Sequence, residues 1–414
     1  MSNKVETRGS VITESPSLLF LTTVPVTLDS FFRGQFEYWK QRGFRVIAVS
    51  SPGPALSRLR QREGIETFTI PMHRGVSPLK DVLALARLYT LLRTLRPAII
   101  HASTPKAGLL GMISATAAGT PVKIFTVRGL MSEMSGVFSP ILKWMERLTC
   151  WLAHAVTANS YSVAQELVEN KICEPNKIQV LGNGSSNGVD AENLFNPSKI
   201  ETSRSLELKH NLGIPESATV VTFVGRIVRD KGIAELAHAW ERLRKHKSDC
   251  CLFIIGGEEK GKHDFSQALA ELRNNSHVVF TGWAPKEEMP LYYSITDILV
   301  LPTYREGFPN VVLEASAMAL PVVATRVTGC VDAVVDGVTG TLVPAKTAAA
   351  LADAILRYLD DSELRKKHGK AGRERVLKDF RPEDIWEALY QEYIRLMKEK
   401  GILFSHRENG AGPR

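Results

Sequence analysis

The sequence predicts an α/β protein made of two halves, each with a parallel, doubly wound sheet. Three observations carry this. Short apolar runs alternate with helical apolar spacing from Ser17 onward. The alternation stops in a polar, Pro-flanked stretch from Asn196 to Ser217, the best linker, and then begins again. With 414 residues, 44% hydrophobic and 23% charged, the chain has material for two cores.

In the first half, Ser17 to Thr22 reads as a strand, followed by a helix from about Phe31 to Arg42 that Gly43 stops. Arg45 to Ser50 and Ile65 to Ile70 are the next strands. Leu79 to Leu95 has helical spacing, Ala98 to His101 is a short strand, Gly108 to Ala118 a helix and Lys123 to Thr126 a strand. Pro140 to Ala153 is a helix with Ile141, Met145, Leu148 and Leu152 on one stripe and Trp144 and Trp151 on another, bordered by Lys143 and Arg147. Such a helix suits either a wide core contact or a membrane interface. Val156 to Ser160 and Ile178 to Leu181 close this half.

The second half repeats the pattern. Strands are expected at Val220 to Gly225, Cys251 to Gly256, Val278 to Thr281, Ile298 to Leu301 and Pro321 to Thr325, with helices between them. Pro382 to Met397 is a final helix whose apolar face holds Ile385, Trp386, Leu389, Tyr393 and Leu396. The expected organisation is a disordered tail over 1–15, a first domain over 16–200, a second over 201–380, a closing helix over 381–402 and a tail over 403–414.

Bulk properties narrow the function. Residues 1–200 carry 22 Lys and Arg against 14 Asp and Glu, while residues 201–414 carry 30 against 30. The whole positive excess sits in the first half, which suits an anionic surface. No nucleic-acid motif and no aromatic-interleaved basic stripe accompanies it, so nucleic acid is not the expected partner. The five cysteines show no metal-ligand spacing and read as reduced thiols. No signal peptide is visible, and the charge-free stretch from Ala107 to Val122 is too broken by Gly, Ser and Thr to span a membrane.

The most informative stretch is Glu306-Gly-Phe-Pro-Asn-Val-Val-Leu-Glu314. It follows the expected strand that ends at Pro302, and Asn310 is positioned to cap the helix carrying Glu314. Glu306 then lies in a strand-end loop and Glu314 about one turn into the helix. Both can face the crevice where open parallel sheets bind ligands. Carboxylates accept from hydroxyls, and helix N-termini favour anions. A nucleotide-sugar offers both groups. A lone pair of glutamates at this spacing is more often a solvated residue and a helix-dipole partner.

A second element, Gly225-Arg226-x4-Lys231-Gly232, follows another strand. Asp230 is expected to start the next helix. Two cations at a strand end would neutralise a diphosphate and the charge that grows as it leaves. The bland alternative is two surface cations, one of them paired with Asp230. In the first half, His101-Ala-Ser-Thr104-Pro-Lys106-Ala-Gly108 stands at a strand end, where His, Thr and Lys suit an acceptor's hydroxyls or diphosphate.

Taken together, Gly225-Arg226-x4-Lys231-Gly232, the E-x7-E stretch and the following Ala-x-Ala-x3-Pro321 resemble the GT4 family of retaining glycosyltransferases, which have the GT-B architecture. The His101 stretch, Arg33-Gly-Gln35 and Gly184 to Asp190 resemble the subgroup that assembles polysaccharides on lipid carriers. The resemblance implies two Rossmann-like domains facing across a cleft, with the last helix returning to the first. It implies donor contacts at Gly225, Arg226, Lys231, Glu306, Gly307, Phe308, Asn310, Val311 and Glu314, those of 307–311 through backbone N–H groups. Glu314 would hold the ribose and Glu306 the transferred sugar, with Glu306, Arg226, Lys231 and His101 as the catalytic set. His101, Thr104, Lys106 and Arg128 would meet the acceptor. The Ala284 to Met289 loop would bracket the base.

The implied reaction is transfer from a UDP-hexose or UDP-N-acetylhexosamine to a polyprenyl-diphosphate-linked glycan, with no metal and no cofactor. The implied location is the cytoplasmic face of the cell membrane, bound peripherally. Three departures stand out: Ser103 takes a second His position, the Thr22 to Leu28 loop lacks glycine, and Arg128 stands where many members place His. An arginine cannot act as a general base at neutral pH. The alternatives are a soluble transferase with a small acceptor, a UDP-sugar epimerase and a non-catalytic binding protein.

Overall fold

A seven-stranded parallel sheet and a six-stranded parallel sheet organise the chain in the computed structural model. It describes residues 11–13, 15–73, 75, 77–130, 139–258 and 265–404. The chain divides into two units. The first comprises Met1–Asn159, Val163–Leu181 and Glu383–Arg414, and the second Ser160–Ser162 and Gly182–Pro382. The boundaries thus fall at residues 181/182 and 382/383, where the sequence reading placed them at 200/201 and 380/381.

The first unit's sheet runs in the order Glu66–Thr69, Arg45–Ser50, Ser17–Leu21, Ile99–Ser103, Val122–Val127, Ala155–Ala158 and Ile178–Val180. Its inner strands are buried on both faces because helices cover both. Leu18 and Phe20 enter one apolar layer with Trp39 and Leu59, while Leu19 and Leu21 enter the other with Leu88 and Leu110. Each such side chain removed from water stabilises the unit by about 1.5–3 kcal/mol. The helix Pro382–Glu399 contributes Leu389, Tyr390, Tyr393, Leu396 and Met397 to the first layer. It is fastened by Glu387, which accepts from Tyr38 at 2.7 Å and from Arg42 at 2.5 Å.

The second unit's sheet runs Val278–Gly282, Cys250–Ile255, Thr219–Val224, Ile298–Leu301, Val322–Thr325 and Gly340–Val343. Its order places the first and fourth strands side by side at the centre. The two core layers again alternate along each strand: Val221, Phe223 and Val300 face one way, and Val220, Leu299 and Leu301 the other.

Several expectations are corrected. The helix expected over Phe31 to Arg42 is two helices, Pro25–Phe31 and Gln35–Gln41, because Gly34 adopts φ +78 and breaks the turn. The expected linker contains the helix Thr202–Asn211 and lies wholly within the second unit. Residues Val11–Thr13 pair in parallel with Ile402–Phe404, so parts of the two expected tails form a small sheet. The helix Pro54–Glu63 and the strand Gly340–Val343 lacked a clear sequence signal. The rest of the 1–15 and 403–414 stretches lies outside the described residues. Among the described residues, no helix is long and apolar enough to cross a membrane.

Candidate active site

In the second unit, the strand order reverses direction between Thr219–Val224 and Ile298–Leu301. Open parallel sheets leave a crevice outside the C-terminal ends of such a strand pair. The sequence delivers its charged residues to that place from both strands.

From Thr219–Val224 the chain passes Gly225 and Arg226 into a short 3-10 turn, Arg229–Lys231, and then into the helix Ile233–Arg244. The helix begins after Gly232, not at Asp230 as expected. Gly232 has φ +71, and a Cβ there would lie 2.0 Å from the Pro302 carbonyl oxygen. Only glycine fits both demands, and its fit presses the Lys231 turn against the loop that follows Ile298–Leu301. Hydrogen bonds fix the same contact. The Asp230 carbonyl accepts from the Thr303 hydroxyl at 3.0 Å and from the Tyr304 amide at 2.8 Å. The Asp230 carboxylate accepts from Arg305 at 3.1 and 2.6 Å, so its ionic partner is Arg305.

This stapling brings Lys231 and Glu306 together as an ion pair whose side chains are 19% and 14% exposed. Glu306 is also held from behind. Gly329 has φ +78, and a Cβ on it would lie 2.6 Å from the Gly307 carbonyl oxygen. The Ser160 hydroxyl donates to that same carbonyl at 2.8 Å. The buried Cys330 lies close enough to feel the Glu306 and Lys231 charges, and burial pushes its thiol well above the usual range. It is an inert neighbour and not a nucleophile.

The helix Asn310–Ala317 follows the loop. Pro309 is its N-cap residue, and no side chain caps it. Asn310 is therefore the first helical residue and not the expected cap, since the preceding proline already holds extended backbone there. Glu314 sits one turn in and is buried. It accepts from the Tyr293 hydroxyl at 3.2 Å, with the Lys286 ammonium 3.9 Å away. Burial pushes its carboxyl up, and Lys286 and Tyr293 partly oppose that.

The remaining expected donor contacts divide. Arg226 is exposed on the strand-end loop. Gly307 and Val311 flank Phe308, whose ring is buried in the core and packs on Phe380 at 5.6 Å. The Phe308 side chain is structural, so its backbone alone is left for a ligand. Lys286, Tyr293 and Arg305 were not singled out from the sequence. Lys286 was legible as a cation inside the expected base-bracketing loop, whereas Tyr293 reads as an ordinary core aromatic.

The first unit treats its expected acceptor residues differently. His101 is 3% exposed, with Nδ1 against the Tyr393 hydroxyl and Nε2 against the Thr126 hydroxyl, each at 2.5 Å. Burial pushes its pKa down to about 3, so the ring is neutral. This is a satisfied core histidine, and the expectation that it reaches an acceptor is corrected. The Lys106 ammonium donates to both Asp81 oxygens at 2.7 and 2.9 Å and to the Gly75 carbonyl, so it too is committed inside the unit. Thr104, at φ +78, bonds to the Thr23 hydroxyl at 2.8 Å and accepts from the Thr23 amide. The Arg128 guanidinium lies 5.0 and 4.9 Å from the Phe31 and Phe32 ring centres. Burial pushes it down to about 9, which leaves it cationic at neutral pH. Among the described residues, no cluster of three His, Cys, Asp or Glu side chains is placed to hold a metal ion.

The chain is similar to known proteins. Residues 29–184 match the family model of a glycosyl transferase 4-like domain, and residues 205–375 that of glycosyl transferases group 1. The chain is similar to the capsular polysaccharide biosynthesis glycosyltransferase CapM of Staphylococcus aureus, at 34% identity over 93% of this chain and 99% of the relative. It is also similar to the UDP-Gal:alpha-D-GlcNAc-diphosphoundecaprenol alpha-1,3-galactosyltransferase of Escherichia coli, at 26% identity over 80% and 84% of the two chains. Among solved structures, Anabaena HepE in complex with UDP and glucose superposes with a TM-score of 0.73 at 19% identity, covering 91% of this chain and 99% of that one. The chain therefore belongs to the group 1, GT4-like glycosyltransferase family, and its two α/β units are those of the GT-B fold.

Proposed function

We propose that this glycosyltransferase moves a hexose or N-acetylhexosamine from a UDP-sugar to a hydroxyl of a polyprenyl-diphosphate-linked glycan during surface polysaccharide synthesis, with retention at the anomeric carbon. One observation carries the reading. Lys231 and Glu306 are locked together at the sheet's switch point, and buried Glu314 lies one turn into the adjoining helix. In this reading Glu314 receives the ribose hydroxyls and Glu306 those of the transferred sugar. Lys231 and Arg226 meet the diphosphate without a divalent ion. The anomeric C–O bond to the phosphate breaks, the acceptor oxygen bonds to the same face, and the acceptor proton passes to the departing phosphate oxygen. The two relatives, one in capsule synthesis and one with a lipid-diphosphate acceptor, favour this substrate class. The UDP and glucose held by HepE favour the donor.

The acceptor's lipid carrier implies work at the cytoplasmic membrane face. The helix Ser139–Leu152 supports that part, because Ile141, Trp144 and Trp151 are 55%, 60% and 67% exposed beside Lys143 and Arg147. The test is transfer from UDP- and GDP-sugars to a synthetic polyprenyl-diphosphate saccharide, with the product's anomeric configuration read by NMR. UDP-sugar turnover giving an α-linked product from an α-linked donor is expected. Turnover confined to a soluble small acceptor, or epimerisation of the donor without transfer, would overturn the reading.

A further inference from the structure

The first unit carries a large groove that His101, Thr104, Lys106 and Arg128 do not line. It runs along the edge strand Glu66–Thr69, with a volume of about 1300 Å³. A smaller hollow of about 510 Å³ continues it past Arg60. Its walls are the helices Pro54–Glu63 and Pro78–Leu95, which belong to opposite faces of the sheet: Leu56 and Leu59 enter one core layer, Leu88 and Leu92 the other. The groove is therefore the gap left where the sheet ends. It exceeds the 300–1,000 Å³ typical of small-ligand pockets.

Its chemistry is one-sided. Arg60 lines one wall and Arg87 the other; among the described residues no carboxylate lines the main groove, and Glu66 lines its smaller continuation. The neighbours of Arg60 on its own helix contrast with it. Arg58 and Arg62 both pair with Asp29, at 3.4 and 2.7 Å. The edge strand's Glu66 is likewise occupied, bonded at two oxygens by Arg45. Among the described residues neither Arg60 nor Arg87 has a carboxylate partner. Between them lies an apolar floor of Phe68 and Leu91, rimmed by Gln61 and Thr90. The strand adds backbone groups. The Ile70 amide donates to Ser50 at 2.8 Å, and the alternation along a parallel strand turns the amides and carbonyls of Thr67 and Thr69 outward. An aromatic face, many hydroxyl and amide partners and two open guanidiniums suit a chain of sugar rings that carries carboxylates.

We infer that this groove is a second glycan-binding site, one that holds an acidic oligosaccharide segment bearing uronate groups. Choosing a glycan as the occupant rests on the glycan-assembling reading of the chain. Arg60 and Arg87 each engage a carboxylate, and the rings between lie on Phe68 and Leu91. The site positions polymer and takes no part in bond making.

Titration calorimetry with tetragalacturonate tests this on the full chain, with cellotetraose and inorganic phosphate as comparison ligands. Saturable binding of the acidic tetramer is expected, with no binding of the neutral one. Arg60→Gln combined with Arg87→Gln is expected to weaken it at least tenfold, and Arg93→Gln, on an exposed arginine outside the groove, to leave it unchanged. Absence of saturable binding would overturn the proposal. So would equal binding by the double variant, equal affinity for phosphate, or equal affinity for a short poly-glutamate, which would mark a simple anion or peptide surface. The measurement uses no donor. UDP affinity on the same preparations is expected to be unaffected by all three substitutions. Loss of UDP binding in the unaltered protein would count against the proposed function and leave the groove result standing.

Discussion

The Lys231 ammonium is ion-paired to the Glu306 carboxylate, joining two loops that are 75 residues apart in the chain. Each charge compensates the other, and the pair ties the two loops together. Lys231 keeps further N–H donors for a phosphate, and Glu306 a second oxygen for a sugar hydroxyl.

Removing either partner is expected to lower transfer rather than folding. Lys231→Ala should reduce kcat about 10²–10³-fold, the loss usual for a charge aimed at a leaving group. Glu306→Gln should fall in the same direction. The double variant should lose less than the product of the two single losses, since each single change leaves the other charge uncompensated. Steady-state kinetics on all three checks this, and strict multiplicativity would show that the pair does not act as a unit.

Glu314 sets stability against binding. Its carboxyl is pushed up by burial, so its contribution to folding is full below the ordinary value of 4.5 and is lost as pH rises through the elevated one. Glu314→Gln should therefore raise Tm at neutral pH and flatten the pH dependence above 4.5. The same variant should weaken UDP binding by about tenfold, because an amide is a poorer acceptor for ribose hydroxyls. A thermal melt series across pH, paired with a UDP titration, reads both.

His101 should make the first unit acid-sensitive. Its folded pKa of about 3 lies below the ordinary 6.5, so its contribution is present above 6.5 and lost progressively as pH falls toward 3. His101→Gln should be less stable at neutral pH but lose less on acidification through that window. Tyr393→Phe removes one of the two ring bonds and should cost about 1 kcal/mol without abolishing the acid sensitivity. Urea unfolding at several pH values separates these outcomes, and a steeper acid loss in His101→Gln than in the unaltered chain would contradict them.

Gly232 is the narrowest geometric requirement at the site. Gly232→Ala places a methyl group 2.0 Å from the Pro302 carbonyl oxygen on a backbone with φ +71. It should cost at least about 2 kcal/mol and lower donor affinity, because Lys231 must shift with the turn. Gly213→Ala makes a useful comparison. It also has positive φ, +67, but nothing within 4 Å, so it should show backbone strain alone.

The sequence was most legible where one local signal decided the outcome. The strand Ile298–Leu301 was readable to the residue, as an apolar run ended by Pro302. Lys231 and Glu306 were readable as opposite charges at two strand ends, and they form an ion pair in the structure. What escaped was decided by tertiary contact. His101 looked like a ligand because its position at a strand end is polar in sequence. Its burial depends on Tyr393, which arrives from 292 residues away. Lys106 looked available until Asp81 claimed it from the preceding helix. Phe308 looked like part of a binding loop, yet its ring is anchored by Phe380. The helix Thr202–Asn211 hid in a polar stretch because none of its residues is buried, so no apolar stripe marked it.

The most direct test of the central claim is the affinity of UDP for the unaltered chain, for Lys231→Ala and for Glu314→Ala, measured by titration calorimetry under one set of conditions. Saturable binding that weakens at least tenfold in each variant is the expected result. Binding that is absent from the unaltered chain, or indifferent to both substitutions, would contradict the assignment of this crevice to a sugar-nucleotide.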